Sequence, residues 1–426
     1  MLNRLKLRKV GPAPEIEIDL AARTNFFTGD NGLGKSFLLD VAWWALTRSR
    51  AGPLVLPQRN ASSKDGSIEY SFQASSGKPF HYKSTFEPSR QQWTVKQGRP
   101  PIPGLVIYAQ VDGGFSVWDP ARNYWTAQAS NGRPEAFRFR PDEVWDGLPR
   151  DDPKKLCNGL IADWASWLRE KGESFEQLRR VLSKLSPAPN EPLVPGQLTR
   201  ISLDDIRDYP TVKMLYGQDV PLVHASAGMR RIIALAYLLV WTWQEHLRAS
   251  ELVGKEPVRE IIFLIDEIEA HLHPQWQRRI VPALLEVMEA LTGEHDVPVQ
   301  LIAATHSPLI LASVEPFFDE ERDRLFHLGT RDDQVFFEQV TWAKQGDTAS
   351  WLVSSVFGLR QARSLEAELA IEAAEAWMRG AVSEDLPKHL ADPEEIDREL
   401  RRVLAGHDPF WPRWIVELER RSDDAG

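Results

Sequence analysis

Eight consecutive residues, Gly29-Asp30-Asn31-Gly32-Leu33-Gly34-Lys35-Ser36, match the pattern G-x-x-x-x-G-K-[ST]. The glycines let successive backbone N–H groups curl around a phosphate, and a helix starting near Lys35 adds its positive dipole end. Lys35 supplies a point charge between the β- and γ-phosphates, and Ser36 supplies a hydroxyl for Mg²⁺. Far downstream, the apolar run Ile261-Ile262-Phe263-Leu264-Ile265 ends in Asp266-Glu267. At the carboxyl tip of a buried strand, Asp266 is placed to hold a magnesium shell, and Glu267 to orient or deprotonate an attacking water. A third apolar run, Val299–Ala304, leads into Thr305-His306, from where His306 can reach the terminal phosphate on the same sheet edge. The fourth group is His224-Ala225-Ser226-Ala227-Gly228-Met229, just before a long apolar helix. Ser226 caps that helix, and Gly228 leaves its first turn open to an anion.

Positioning these groups takes buried strands that alternate with helices, which means a mostly parallel sheet covered on both faces. Period-2 runs at 2–10 and 16–20, separated by Gly-Pro-Ala-Pro, predict a hairpin before the phosphate loop. Residues 25–28 read as a buried strand entering the loop and 37–46 as the helix leaving it. Further strands are expected at 67–72 and 105–110, and amphipathic helices at 156–168 and 175–185. Downstream, helices are expected at 227–247 and 276–291, and a closing hairpin at 325–328 and 335–340. Acidic helices follow from 350.

In this order the motifs resemble ABC-class P-loop ATPases of the SMC, RecF and OLD type, especially the stand-alone ATPases of bacterial anti-phage defence and virulence-associated operons. The matching residues are 29–36 (Walker A), Gln110 after Val106-Ile107-Tyr108-Ala109 (Q-loop), Ser226-Ala227-Gly228-Met229 (signature), Asp266-Glu267 (Walker B), Ala270-His271-Leu272-His273 (D-loop) and His306 (switch histidine). The resemblance covers residues 1 to about 340, roughly four-fifths of the chain.

The resemblance implies an α/β fold: an ABC-type ATPase head with a mixed sheet, a mostly parallel core and an N-terminal antiparallel β-subdomain, carrying a helical insertion and a helical C-terminal extension. It divides the chain into 1–118 and 201–345 as the two halves of the head, 119–200 as a Trp-rich helical lobe, and 346–426 as an acidic extension. It further implies ATP held by Gly29, Asn31, Gly32, Gly34, Lys35 and Ser36, with Ser226 and Gly228 of a second copy covering the γ-phosphate. Mg²⁺ would be held by Ser36, Gln110 and Asp266, and hydrolysis carried by Glu267 and His306. The expected assembly is a homodimer closed by an ATP sandwich, acting as regulator or motor for a separate effector, a nuclease or toxin. An enzyme that itself processes or repairs DNA with ATP is the alternative, and a membrane transporter's nucleotide-binding subunit is a third, weaker one. Two positions depart from the family pattern: Ala227 stands where a second glycine is common, and the D-loop ends in His273 rather than Asp. His271 and His273 lack cysteine partners and do not read as a metal site.

Composition narrows the setting. The 426 residues include 61 acidic and 51 basic ones, for a net charge of −10, and a single cysteine, Cys157. No disulfide framework is available, which fits a reducing cytoplasm. The longest largely apolar run, 232–243, is shorter than the roughly 18–20 residues a spanning helix needs, and no apolar signal core opens the chain. No membrane partner is expected. Charge is uneven: residues 1–100 carry fifteen basic and eight acidic side chains, whereas 361–426 carry nine and sixteen. A local basic patch on the N-terminal sheet keeps nucleic acid open as a partner. Trp93, Trp118, Trp125, Trp145, Trp164 and Trp167 lie in or beside the lobe, suggesting a surface built for contact.

Overall fold

The computed structural model describes residues 1–58, 66–73, 79–95, 104–123, 136–149, 155–295, 297–381 and 386–424. Residues 1–344 form one compact unit and 345–426 a second. Trp125 and much of the first half of the expected lobe lie outside the described residues.

The first unit starts with β1 (Leu2–Arg8), β2 (Glu15–Asp19), β3 (Thr24–Gly29) and α1 (Lys35–Thr47), followed by β4 (Ser67–Gln73), β5 (Pro79–Glu87) and β6 (Gln92–Trp93). Next come β7 (Leu105–Ala109), β8 (Phe115–Trp118), β9 (Phe137–Phe139), α2 (Pro141–Asp146), β10 (Leu148–Pro149), β11 (Lys155–Cys157), α3 (Leu160–Glu170) and α4 (Glu173–Lys184). A small sheet of β12 (Val194–Pro195), β13 (Thr211–Lys213) and β14 (Asp219–Pro221) leads to the long α5 (Ala227–Leu252). The unit closes with β15 (Ile261–Ile265), α6 (Pro274–Gln277), α7 (Ile280–Thr292), β16 (Val299–Ala304), α8 (Pro308–Val314), β17 (Asp323–Arg331) and β18 (Gln334–Val340).

Two sheets carry this unit. The strands β2-β1-β4-β5-β6 form an antiparallel sheet, and from Arg4 onward, past an irregularity in its pairing with β4, β1 alternates buried residues with more exposed ones as a one-sided strand must. The second sheet is mixed, in the order β18-β17-β3-β16-β15-β7-β8-β9. Its centre is parallel from β17 to β7, and β7, β15 and β16 are buried at every position because helices cover both faces. Register aligns the carboxyl ends: Ile265 lies beside Ala109 and Ala303, Ala304 beside Phe27, and Leu328 beside Gly29. The segments after β3, β7, β15 and β16 therefore emerge along one edge.

Several expected boundaries moved, each for a local reason. The helix expected from 156 begins at Leu160, because Lys155–Cys157 pairs as a strand with β10 and Gly159, at φ +90°, turns the chain. The helix expected at 276–291 breaks into α6 and α7. Pro282 has no N–H for the carbonyl of residue 278, so the ladder cannot run through that point.

Four of the six tryptophans expected on a contact surface point inward instead, while Trp145 is half-buried. Trp93, Trp118, Trp164 and Trp167 are buried, and Trp167 packs against Tyr237 of α5 at 5.7 Å. Trp43 on α1 lies 6.2 Å from Tyr108, and Trp241 on α5 sits edge-on to Phe137 and Phe139 at 5.4 Å each. These rings fill the interior of the unit that carries the site.

The four basic residues on β1 and β5 are matched across strands. Lys6 pairs with Glu15 and Glu17 at 2.9 and 2.6 Å, Arg8 with Glu15 at 3.4 Å, Lys83 with Glu69 at 2.8 Å, and Arg4 with Glu17 and Asp19. On these strands the charges alternate in sign and form no basic patch. Five other basic residues of the segment, Arg59, Lys64, Lys78, Lys96 and Arg99, lie outside the described residues.

The second unit contains α9 (Thr348–Val353), α10 (Leu365–Met378), α11 (Pro393–Val403) and α12 (Trp411–Asp424). Ala370, Ile371 and Ala374 of α10 meet Ile396 and Leu400 of α11 and the fully buried Trp414 of α12. Asp408 holds Arg363 through both carboxylate oxygens at 2.9 Å. Among the described residues, no helix of the chain is long and apolar enough to cross a membrane.

Candidate functional site

The phosphate loop leaves β3 at Gly29, whose φ is +129° and where a Cβ would stand 2.0 Å from the Leu328 carbonyl oxygen of β17. Only glycine fits against that neighbouring strand. Gly34, at φ +98°, ends the loop as the N-cap of α1 and approaches Pro12 so closely that a Cβ would meet its ring at 2.8 Å. Between them Asn31 and Gly32 are exposed, as is Ser36 on the first turn of the helix.

Lys35 is buried, and its ammonium folds back over the loop to donate to the Gly29 and Asp30 carbonyls, both at 2.8 Å. Burial lowers its pKa, while Asp266, Asp30, Glu267 and Glu269 oppose that shift. An arriving phosphate would offer the same ammonium a stronger acceptor than either carbonyl.

Asp266 follows β15 directly, with its backbone N–H bonded to the Ala109 carbonyl of β7 at 2.9 Å. Burial raises its pKa, Ser36 pulls it back by a hydrogen bond, neighbouring Glu267 raises it, and Lys35 and Arg231 lower it. Ser36 and Asp266 thus meet across the edge, although 230 residues separate them in sequence. The exposed Ser36 hydroxyl and the buried Asp266 carboxylate are hard oxygen donors, and this pair fits Mg²⁺. Gln110 stands at the neighbouring strand tip, but its side-chain amide donates to the Ala51 carbonyl at 3.2 Å. Among the described residues no hydrogen bond joins it to Ser36 or Asp266.

Glu267 adopts the left-handed conformation, φ +45°, and among the described residues its carboxylate carries no hydrogen bond or ion pair. That leaves it free for a water molecule. His306 is half-buried on the segment leaving β16, its backbone N–H held by Glu269 at 2.5 Å. Ser226 caps α5 by accepting from the Met229 N–H at 3.3 Å. Gly228 lies against the D-loop, where a Cβ would stand 2.4 Å from the His271 carbonyl oxygen. Among the described residues no hydrogen bond or ion pair joins Ser226–Gly228 to the phosphate loop. His273 caps α6 through its ring nitrogen at 3.4 Å, and no group of three or more metal-ligating side chains occurs among the described residues.

Sequence reasoning missed three groups. Arg231, one turn into α5, is half-buried and donates to the carbonyls of Asp266 at 3.0 Å, Val111 at 3.2 Å and Glu267 at 3.5 Å. Glu269 binds Thr305 and His306. Asp40, four residues after Ser36 and so on the same face of α1, is hydrogen-bonded to Tyr108, and burial pushes its pKa up to about 6. The available signal was the same in each case: a charged residue at a helical or turn position whose neighbours are buried.

Residues 24–312 match the family described as AAA domain, putative AbiEii toxin, Type IV TA system. The chain is similar to a Retron Ec83 probable ATPase of Escherichia coli, 39% identical over 225 residues, which is 50% of this chain and 36% of that protein. It is also similar to the Septu protein PtuA of Bacillus thuringiensis, 31% identical over 109 residues, 25% of this chain and 24% of that one. The matches therefore span about a third or less of these relatives' length. Among solved structures, an SMC head domain from Thermotoga maritima aligns over 80% of this chain and 99% of its own at 15% identity, with a TM-score of 0.39.

Proposed function

The chain belongs to this AAA-domain family, and from that premise we propose that it is a Mg²⁺-dependent ATPase whose heads dimerise around ATP and gate a separate effector, a nuclease or toxin, in bacterial defence in the cytoplasm. The observation that carries the reading is the meeting of Lys35, Ser36 and Asp266 at the aligned tips of β3 and β15, with the unbonded Glu267 beside them. Lys35 and the loop N–H groups bind the β- and γ-phosphates. Ser36 and Asp266 hold Mg²⁺, which when bound neutralises charge on the transferring phosphoryl group. Glu267 takes a proton from the attacking water, and His306 contacts the terminal phosphate from the β16 side.

Ser226 and Ala227 are exposed at the start of α5, Gly228 is buried against the D-loop, and among the described residues no hydrogen bond or ion pair joins them to their own phosphate loop, so a second copy is the natural owner of the phosphate that this helix end covers. Similarity to the Retron and Septu proteins supports the defence setting. Glu267→Gln should bind ATP with Mg²⁺ and elute as a dimer on gel filtration, and as a monomer without nucleotide. Lys35→Ala should stay monomeric in both. A Glu267→Gln protein that stays monomeric with ATP would sink the sandwich. Clean cleavage of plasmid by the purified protein would replace the separate effector with direct DNA processing.

A further inference from the structure

Two glutamates follow Asp266 in the same turn, and the structure divides them. Glu267 is unbonded, whereas both carboxylate oxygens of Glu269 are occupied: Thr305 Oγ1 donates to one at 2.7 Å and the His306 backbone N–H to the other at 2.5 Å. Main-chain bonds brace the same junction. The Ile268 N–H donates to the Ala304 carbonyl at 3.1 Å, and the Ala270 N–H to the Glu267 carbonyl at 2.8 Å. One residue further, the Ser307 hydroxyl donates to Gln277 Oε1 at 2.7 Å, and the Gln277 amide donates to the Leu272 carbonyl at 2.9 Å. Thr305, His306 and Ser307 are thus each tied to the segment that begins at Asp266 and runs through the D-loop into α6.

We propose that Glu269 is a positioning residue for ATP hydrolysis: its carboxylate fixes the main chain on which His306 stands and makes that histidine move with the turn from Asp266 to His273. This rests on the ATPase reading above. The D-loop part of that turn is exposed at His271 and His273 and lies against Gly228 at the end of α5. A second copy that presses on this face would displace the turn, and Glu269 would carry the displacement to His306 on the adjacent strand. A carboxylate suits the task because it accepts from two donors at once. A glutamine offers one acceptor oxygen, and its NH₂ can serve the other side only by donating to the Thr305 hydroxyl, which already accepts from the Ser307 N–H at 3.1 Å and would lose its own acceptor.

The test uses the full chain. Steady-state ATP hydrolysis is measured alongside the Kd of a fluorescent ATP analogue for Glu269→Gln, Thr305→Val, Thr305→Ser, His306→Ala and the double variant of Glu269→Gln with His306→Ala. Glu269→Gln and Thr305→Val should lower kcat by about tenfold or more, with Kd within about twofold of wild type. Thr305→Ser, which keeps the hydroxyl, should restore most of the rate. In the His306→Ala background Glu269→Gln should add less than about a twofold loss, because the two residues act on one path. Wild-type kcat in Glu269→Gln, equal losses in the Val and Ser variants, or losses that multiply in the double variant would each overturn the proposal. Failure of the wild-type chain to hydrolyse ATP would instead overturn the ATPase reading beneath it.

Discussion

Replacing Arg231 by methionine isolates one charge that ties the helix begun by Ser226 to the strand that ends in Asp266. The aliphatic stem is retained, while the carbonyls of Asp266 and Val111 lose the guanidinium and that of Glu267 keeps only the Ala270 N–H. Hydrogen bonds from a charged group contribute about 1.5–3 kcal/mol each, and the two shorter ones here sum to about 3–5 kcal/mol after the relief of desolvating the guanidinium. For the 344-residue unit an unfolding entropy of about 0.7 kcal/mol/K converts this to a Tm lowered by about 4–7 °C. Arg231 also lowers the pKa of Asp266, which burial has raised. Without that cation the carboxylate should ionise only at higher pH, so the acid limb of the kcat profile should move up. Differential scanning calorimetry and a pH–rate series measure both. Arg231→Met with Tm within 1 °C of wild type and an unmoved acid limb would refute the view that Arg231 anchors the Asp266–Glu267 turn.

Gly228→Ala should displace the His271 carbonyl, since the new Cβ would start 2.4 Å from it; overpacking of about 1–3 kcal/mol lowers Tm by about 1–4 °C. The same variant should bind a fluorescent ATP analogue as wild type does yet fail to dimerise with it, which gel filtration checks. Asp40→Asn should change how stability depends on pH. The folded pKa of about 6 exceeds the ordinary 3.8, so the protonated carboxyl stabilises the fold fully below pH 3.8, and this contribution is lost as pH rises through 6. The gap corresponds to at most about 3 kcal/mol, or about 1–2 kcal/mol once partial exposure is allowed for. Denaturation of nucleotide-free protein should therefore show wild type weakening between about pH 4 and 7 and Asp40→Asn holding level; parallel profiles would remove the buried-carboxyl argument.

Much of the fold could be read because its elements carry strong local signals. β7, β15 and β16 are apolar at nearly every position, and only parallel strands covered on both faces need that. The strand-loop-helix context of Gly29 to Ser36 was legible for the same reason: the glycines are demanded by φ and by the approach of Leu328 and Pro12. What misled was composition taken without geometry. Basic residues on β1 and β5 suggested a patch, yet antiparallel register sets Lys6 opposite Glu17 and Lys83 opposite Glu69. Tryptophans suggested a contact lobe, yet the helices turn Trp164 and Trp167 inward.

By itself, then, the sequence determined the chemistry on offer: a loop whose N–H groups can ring a phosphate, an ammonium, a hydroxyl, two carboxylates and a histidine, each at the end of a strand or the start of a helix. Tertiary structure decided which of them act on one another. The strand order β3-β16-β15 brings Ser36 to Asp266 and sets Glu269 beside Thr305 and His306, while the Gln110 amide bonds the Ala51 carbonyl beyond α1. The physical reason is that local pattern depends on backbone periodicity, whereas hydrogen bonds between strand tips depend on which strands are neighbours, and no short stretch of sequence encodes that order.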